Sequence, residues 1–140
     1  CFDRKTGKQV ENASVGGLIA VFAPISKTRA EQIGARIVEL GKTARFLVPS
    51  QPPGSPGYDG KRYWRGPAWL IVNYMIADGL ARAGLTDVAD RIIGDSLDLI
   101  EQSGFAEYYD PLTGGPCGGK TFTWTAAMVI EFLTQSKELA

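Results

Sequence analysis

Histidine is absent from this sequence of 140 residues, and its absence excludes several kinds of chemistry. Without an imidazole, the chain cannot supply a Ser-His-Asp or Cys-His nucleophile system, or a zinc or iron site with histidine ligands. Lysine and arginine total 15, as do aspartate and glutamate, so no excess of positive charge exists to attract nucleic acid or an anionic membrane surface. Any catalysis by this chain must therefore depend on carboxylates, lysine, tyrosine or cysteine.

Cysteine and long apolar runs are also scarce. The two cysteines, Cys1 and Cys117, are too few for a disulfide framework, so we expect two free thiols in a reducing compartment. No apolar run approaches the roughly 20 residues of a membrane span. We therefore expect a cytoplasmic protein with no membrane partner. The chain does not begin with methionine, and any signal peptide would lie upstream of Cys1.

The apolar residues that are present recur at helical spacing through most of the chain. From Ser14 to Pro24 they lie nearly all round, which predicts a buried helix. Thr28 and Glu31 have the spacing of a capping box, which predicts the start of an amphipathic helix. Gly41 is expected to end that helix.

Three further helices continue this pattern. Pro67 suits the first turn of a second buried helix, which ends at Gly84. Thr86 or Asp87 is expected to cap a second amphipathic helix, which Gly104 ends. These segments make buried and amphipathic helices alternate along the chain.

A last apolar helix begins near Thr121 or Thr123. The five helices then follow the order that a toroid of helical hairpins requires, with an apolar inner ring wrapped by an amphipathic outer ring. Five helices make only part of such a ring, and no strand pattern competes with them. The sequence therefore predicts an all-α fold.

Two long loops interrupt the helices and carry most of the large aromatic residues. Residues 42–66 have no clean periodicity but lead into a segment too aromatic for a disordered linker, and residues 104–120 form a second loop rich in glycine and proline. The aromatic residues at or just after these loops are Tyr58, Tyr63, Trp64, Trp69, Tyr108, Tyr109 and Trp124. Anchoring of the core is one role for such rings. Because aromatic faces also stack on the apolar faces of sugars, a carbohydrate pocket is the other.

Two carboxylates, Glu107 and Asp110, lie in the second loop among these aromatic residues. Asp110 precedes Pro111 and is expected to fix a turn, whereas Glu107 has no such duty and is the candidate acid–base group. Glycoside hydrolysis needs two carboxylates and no histidine, but the two must flank opposite faces of the sugar. One short loop does not place both, so a partner for Glu107 must lie elsewhere. Asp59 has a similar but weaker setting.

Several segments resemble glycoside hydrolase family 63 and its bacterial relatives that cleave mannosylglycerate or glucosylglycerate. Residues 63–69, Tyr-Trp-Arg-Gly-Pro-Ala-Trp, followed by Asn73, resemble one segment of that family. Residues 104–111, Gly-Phe-Ala-Glu-Tyr-Tyr-Asp-Pro, resemble its glutamate loop. Residues 122–127, Phe-Thr-Trp-Thr-Ala-Ala, resemble the start of one of its helices. The segments keep the family's order and span nearly the whole chain, and trehalases are more distantly similar.

This resemblance implies an (α/α)6 barrel and an inverting mechanism without a cofactor or metal. It implies a small α-glucoside or α-mannoside as substrate, with glucosylglycerate or mannosylglycerate as the best guess, and Glu107 as the general base. The implied substrate-binding residues are Tyr63, Trp64, Arg65, Gly66, Trp69, Tyr108 and Trp124. The family's general acid is an aspartate upstream of the region where this chain starts. Residues 1–140 are therefore expected to be the C-terminal portion of one catalytic barrel, with the remainder of that barrel as their partner.

Two alternatives stay open. The first is a non-catalytic helical-hairpin module that binds carbohydrate or another partner through the aromatic rim, and a stable monomer of this chain would favour it. The second is a terpenoid- or lanthionine-type enzyme on a similar double ring of helices. The lack of histidine and of an acidic metal-binding cluster disfavours that second alternative.

Overall fold

The computed structural model describes residues 2–9 and 13–138, with side chains described as far as Thr134. Within these ranges the chain forms five α-helices, namely α1 (Val15–Leu18), α2 (Lys27–Leu40), α3 (Leu70–Arg82), α4 (Thr86–Ser103) and α5 (Thr123–Glu138). A 3-10 helix, Ile19–Phe22, continues α1. The all-α prediction is confirmed. None of the helices in the described ranges has both the length and the apolar character that a membrane crossing requires.

Two short strands, β1 (Tyr108–Tyr109) and β2 (Pro116–Cys117), pair in antiparallel fashion, with Tyr108 opposite Cys117. The sequence predicted no strand. The pair forms because the glycine-rich loop between α4 and α5 folds back on itself and satisfies its own backbone groups. A strand of two residues is too short to show the alternation that a sequence pattern detects.

Helix α3 is the buried centre of the described molecule. Ile76 and Leu80 are fully buried and pack in a cluster that draws on α1, α2 and α4. Leu70, at the start of α3, belongs to a second cluster with Tyr109 and Phe132. Helices α2 and α4 bury one face and expose the other. Over α2, α3 and α4 the predicted alternation of buried and amphipathic helices is therefore present.

The first and last elements of this order are less buried than the sequence predicted. The segment between Ser14 and Pro24 is a short α-helix followed by a 3-10 turn, and Phe22 in it is 39% exposed. On α5, Ile130 is 64% exposed. Apolar side chains are therefore exposed on the first and on the last helical element of the described chain.

The starts of α2 and α4 differ from the prediction. Ser26 rather than Thr28 caps α2, because Ser26 is extended and its hydroxyl accepts a backbone N–H of the first turn at 3.4 Å, whereas Thr28 is already helical. Leu85 occupies the N-cap position of α4, and Thr86 is the first helical residue. Neither Thr86 nor Asp87 is therefore the cap. Asp87 lies in the first turn, where its negative charge interacts favourably with the helix dipole.

Helix α3 begins at Leu70 and not at Pro67. Ala68 is extended and exchanges two backbone hydrogen bonds with Tyr109, at 2.8 Å from the Ala68 N–H and 3.0 Å from the Tyr109 N–H. A residue that forms such a bridge cannot also be helical, so the helix starts two positions later. The partner lies far along the chain, which is why the local pattern did not reveal it.

The other helix boundaries agree with the prediction. Gly41 follows α2, and Gly104 follows α4 with a φ of +70°. Gly84, with a φ of +81°, comes shortly after the end of α3. Helix α5 begins at Thr123, one of the two positions expected.

A buried non-helical segment, residues 46–50, is held by polar side chains of α3 and α4. The Asn73 amide donates to Leu47 O at 2.8 Å and accepts the Val48 N–H at 3.0 Å. Asp95 accepts the Leu47 N–H at 2.9 Å. Buried backbone groups need hydrogen-bond partners, and these two buried side chains supply them in place of a neighbouring strand.

We predict that Asn73→Ala lowers the free energy of unfolding by about 3 kcal/mol, since it leaves a buried N–H and a buried C=O without partners at roughly 1–3 kcal/mol each. Urea unfolding measures the change. Ser96→Ala is the matched control, because it removes a hydroxyl that accepts one Asn73 N–H at 2.8 Å and donates to Ile92 O at 2.7 Å, yet it leaves both hydrogen bonds of Asn73 to Leu47 and Val48 intact. Equal stability of Asn73→Ala and the wild type would contradict this role.

Candidate active site

The two long loops meet at the start of α3. Ala68 pairs with Tyr109 of the second loop and also bridges to Pro49 of the first. The neighbours of this bridge, Trp69 and Tyr108, consequently stack on each other with ring centroids 4.8 Å apart and planes 24° from parallel. The bridge therefore brings together aromatic residues that are distant in sequence.

Four rings form what we call the aromatic cluster, Tyr63, Trp64, Trp69 and Tyr108. Trp69 also stacks on Trp64 at 4.4 Å and 11°, and Tyr63 meets the other three rings edge-on at 4.8–5.9 Å. Both arrangements are favourable for aromatic pairs. Trp69 is only 3% exposed, whereas Tyr63 and Trp64 are 49% and 48% exposed. The cluster thus has a buried base and an open rim.

The backbone that carries the cluster is tightly folded. Tyr63 has a φ of +41°, and its carbonyl accepts the Trp69 Nε1–H at 3.1 Å. Gly66 is buried and donates its N–H to Ser50 Oγ at 3.0 Å. A Cβ on Gly66 would lie 2.6 Å from Asp59 O, so only glycine allows the two chain segments to approach this closely.

Arg65 forms hydrogen bonds within the loop that carries it. Its Nε donates to Gly57 O at 2.8 Å, and its carbonyl accepts the Asp59 N–H at 2.7 Å. The side chain is exposed, and it does not line the cleft that contains Glu107. The structure therefore places Arg65 beside the aromatic cluster as part of the loop framework.

Glu107 is half-buried and directly precedes β1. Its N–H donates to Gly119 O at 2.9 Å, and its Oε2 accepts the Gly119 N–H at 3.2 Å. It lines a narrow cleft together with residues of α3 and of the start of α5: Trp69, Leu70, Ile71, Phe122, Trp124 and Thr125. Trp124 is 50% exposed. The structure thus brings Glu107, Trp69 and Trp124 to one place.

Ala106, the residue before Glu107, is fixed by two side chains. Thr125 donates its hydroxyl to Ala106 O at 2.7 Å, and the Ala106 N–H donates to the Tyr109 hydroxyl at 3.0 Å. That hydroxyl in turn donates to Gly104 O at 2.6 Å. Burial raises the pKa of Tyr109 to about 12, so it keeps the proton that it donates. Tyr109 is fully buried and is not part of the rim with which the sequence grouped it.

The other loop carboxylates hold turns. Asp110 Oδ1 accepts the Leu112 N–H at 2.9 Å and the Thr113 N–H at 3.4 Å, which confirms the predicted turn role. Asp59 Oδ1 accepts the Lys61 N–H at 3.0 Å in the same manner. Glu107 is the loop carboxylate that lines the cleft.

Comparison with known proteins identifies the family. The family model of the mannosylglycerate hydrolase MGH1-like glycoside hydrolase domain matches residues 1–125. This chain belongs to that family. Mannosylglycerate hydrolase MGH2 of Selaginella moellendorffii is 40% identical over 139 residues, which are 97% of this chain and 28% of the relative. A glucosylglycerate hydrolase of Mycolicibacterium hassiacum is 37% identical over 87 residues, 62% of this chain and 20% of that relative.

A solved structure extends the comparison to the fold. The GH63 mannosylglycerate hydrolase of Thermus thermophilus, crystallised in complex with Tris, matches with a TM-score of 0.89 at 40% identity. The match covers 95% of this chain and 32% of that one. Family membership confirms the predicted fold as part of an (α/α)6 barrel. The chain spans about three tenths of the length of the two mannosylglycerate hydrolases.

Sequence reasoning missed several residues at this cleft. Phe122 and Thr125 line the cleft, and Gly119 hydrogen-bonds to Glu107. Phe122 and Thr125 belong to a segment that resembles the family, so the resemblance was a signal for them. The pair Gly118-Gly119 was visible only as part of a glycine-rich loop, because the reason for each glycine depends on which side chain it faces.

Cys117 of β2 is a free thiol, as expected. Burial is the largest cause that raises its pKa, so it is a protonated thiol at neutral pH. Cys1, the other expected free thiol, lies outside the described residues.

Proposed function

We propose that this chain is the C-terminal portion of the catalytic barrel of an inverting α-glycosidase, with Glu107 as the general base. The observation that carries the proposal is the position of Glu107, a half-buried carboxylate that lines an aromatic cleft. The names of the relatives favour mannosylglycerate or glucosylglycerate as the substrate. The family is one of glycoside hydrolases, which favours this function over the non-catalytic module.

The hydrogen bonds of Glu107 suit the role of a base. Oε2 accepts the Gly119 N–H, and within the described part of the chain Oε1 has no hydrogen-bond partner. Oε1 can therefore accept a proton from a water molecule while Oε2 stays held. In an inverting glycosidase this water attacks the anomeric carbon, and a carboxylic acid about 6.5–9.5 Å from the base protonates the leaving oxygen.

The aromatic rings of the cleft and of the adjoining aromatic cluster suit the binding of a sugar. Tyr63, Trp64 and Trp124 are each about half exposed, so part of each ring is open to contact the C–H face of a sugar, and one face of Trp64 is covered by Trp69. Trp69 and Tyr108 support the exposed rings, and Trp69 also lines the cleft. We assign Arg65 and Gly66 to the shape of this subsite, because both fix the loop that carries Tyr63 and Trp64.

The second carboxylate of the mechanism must come from elsewhere in the barrel. Asp59 and Asp110 are engaged in turns and do not line the cleft. We place the general acid in a portion of the protein that precedes this chain in sequence, in keeping with the greater length of the relatives. A cytoplasmic location belongs to the same proposal, because a reducing compartment keeps Cys117 as a thiol.

The preceding portion of the barrel has two surfaces to pack against. A groove of about 500 Å³ lies between α1 and α2, with a mostly apolar lining that includes Leu18, Ala20 and Ile33. On α5, the last helix of the described chain, Ile130 is exposed. A partial ring of helices has two edges against which further helices can pack. Burial of apolar surface at such an edge stabilises the protein by roughly 25 cal/mol per Å². We therefore assign both surfaces to contacts with the preceding helices.

We predict that Glu107→Gln in the complete protein lowers kcat by about 10²–10⁴-fold, which is the usual contribution of a general base. Hydrolysis of mannosylglycerate and glucosylglycerate, with the release of glycerate as the readout, measures the change. The matched control is Glu101→Gln, which neutralises an exposed glutamate on α4 and leaves kcat unchanged. Turnover of Glu107→Gln within about tenfold of the wild type would refute the assignment of the base.

We predict that Ala20→Glu weakens assembly when this chain and the preceding portion are expressed as two polypeptides. Ala20 is exposed and lines the groove, so a glutamate there places a charge where an apolar helix packs. Size-exclusion chromatography measures the complex. Ala35→Glu, the same change on an exposed position of α2 outside the groove, is expected to assemble normally. Equal assembly of both variants would show that the groove is not the contact.

A further inference from the structure

Two glycines pass beside the carboxylate of Glu107. After β2 the chain turns at Gly118, which has a φ of +70°. The next residue, Gly119, accepts the Glu107 N–H at 2.9 Å and donates its own N–H to Glu107 Oε2 at 3.2 Å. The same peptide segment therefore holds both the backbone and the carboxylate of Glu107.

Gly118 is packed against one side of Glu107. A Cβ added to Gly118 would lie 2.5 Å from Glu107 Oε2 and 2.8 Å from Glu107 Cβ. It would also lie 2.8 Å from Tyr108 Cε1, a ring of the aromatic cluster. All three distances are shorter than a carbon can approach, so any side chain at 118 displaces the carboxylate, the ring or the glycine segment itself.

The segment is anchored at both ends. Before it, Cys117 pairs with Tyr108 in the β1–β2 ladder. After it, the Phe122 N–H donates to Phe105 O at 2.9 Å. The two glycines therefore lie between fixed points on either side of Glu107, and their position does not depend on a freely moving loop.

We propose that Gly118 and Gly119 are positioning residues for the general base. Gly119 holds Oε2 through its N–H, and Gly118 lets the chain pass close enough for that bond to form, so that Oε1 is aimed at the cleft. The proposal deepens the function proposed above and rests on Glu107 being the base. A displacement of about 1 Å at such a site is sufficient to cost up to 10²-fold in rate.

The test is Gly118→Ala in the complete protein. The methyl group pushes the carboxylate from its place, so we expect kcat to fall by at least about tenfold, by the same sensitivity to misplacement. KM is expected to change less than kcat, because the three atoms nearest to the added Cβ belong to Glu107 and to the supporting ring of Tyr108, and not to the exposed rings. The value of kcat is expressed per folded enzyme, with the folded fraction taken from circular dichroism, because loss of folded protein alone also lowers the apparent kcat at constant KM.

Gly114→Ala is the matched control for backbone strain. Gly114 lies in the β1–β2 connection, before β2, has a φ of +74°, and a Cβ there would lie 2.5 Å from Gln102 Nε2 of α4. Both substitutions therefore place alanine in a left-handed conformation against a polar side chain, and both are expected to lower Tm. Only Gly118→Ala is expected to lower kcat.

The outcomes separate this inference from the function on which it rests. If Gly118→Ala does not fold, Gly118→Asn carries the same Cβ, tolerates a positive φ better and is expected to show the same loss of kcat. An unchanged kcat in the folded variant, or an equal loss in Gly114→Ala, would overturn the positioning role while Glu107→Gln stays inactive. An active Glu107→Gln enzyme would instead overturn the proposed function itself.

Discussion

The candidate site depends on the bridge formed by the two backbone hydrogen bonds between Ala68 and Tyr109. They connect the loop before α3 with the loop after α4, and they place Trp69 against Tyr108 and next to Glu107. Without this bridge the segment that carries Trp69 and the segment that carries Glu107 would have no direct backbone connection. The bridge also explains why α3 starts at Leu70, since the residues before it are required as extended chain.

Several buried polar groups stabilise the chain segments that meet at this bridge. Asn73 and Asp95 satisfy the backbone of residues 46–50, so that Pro49 can lie beside Ala68 without a complete sheet. On the other side, Tyr109 and Thr125 hold both polar groups of the Ala106 backbone. Buried polar groups that are fully paired make a structure unique at the cost of tolerance to substitution. These hydrogen bonds hold the irregular loop region in a defined conformation between the helices.

The sequence was informative where the determinants are local. Helical spacing revealed all five helices, Gly41 and Gly104 marked their ends, and the absence of any other duty singled out Glu107. The failures are long-range. Pro67 suits a helix start by itself, and only its neighbour's pairing with Tyr109 prevents one. Asp95 lies on α4, and no local pattern shows that it accepts the buried Leu47 N–H. The need for glycine at 118 follows from Glu107, which no local pattern places next to it.

The configuration of the first sugar released is the most direct test of the inverting mechanism in which Glu107 acts as the general base. The complete protein is mixed with an α-linked mannosylglycerate, and the anomeric proton signals are followed by NMR before mutarotation mixes the anomers. A base that activates water on the face opposite the leaving group inverts the anomeric centre, so we expect β-mannose as the first product. Release of the α anomer first would mean retention, and it would contradict an inverting mechanism with Glu107 as its base.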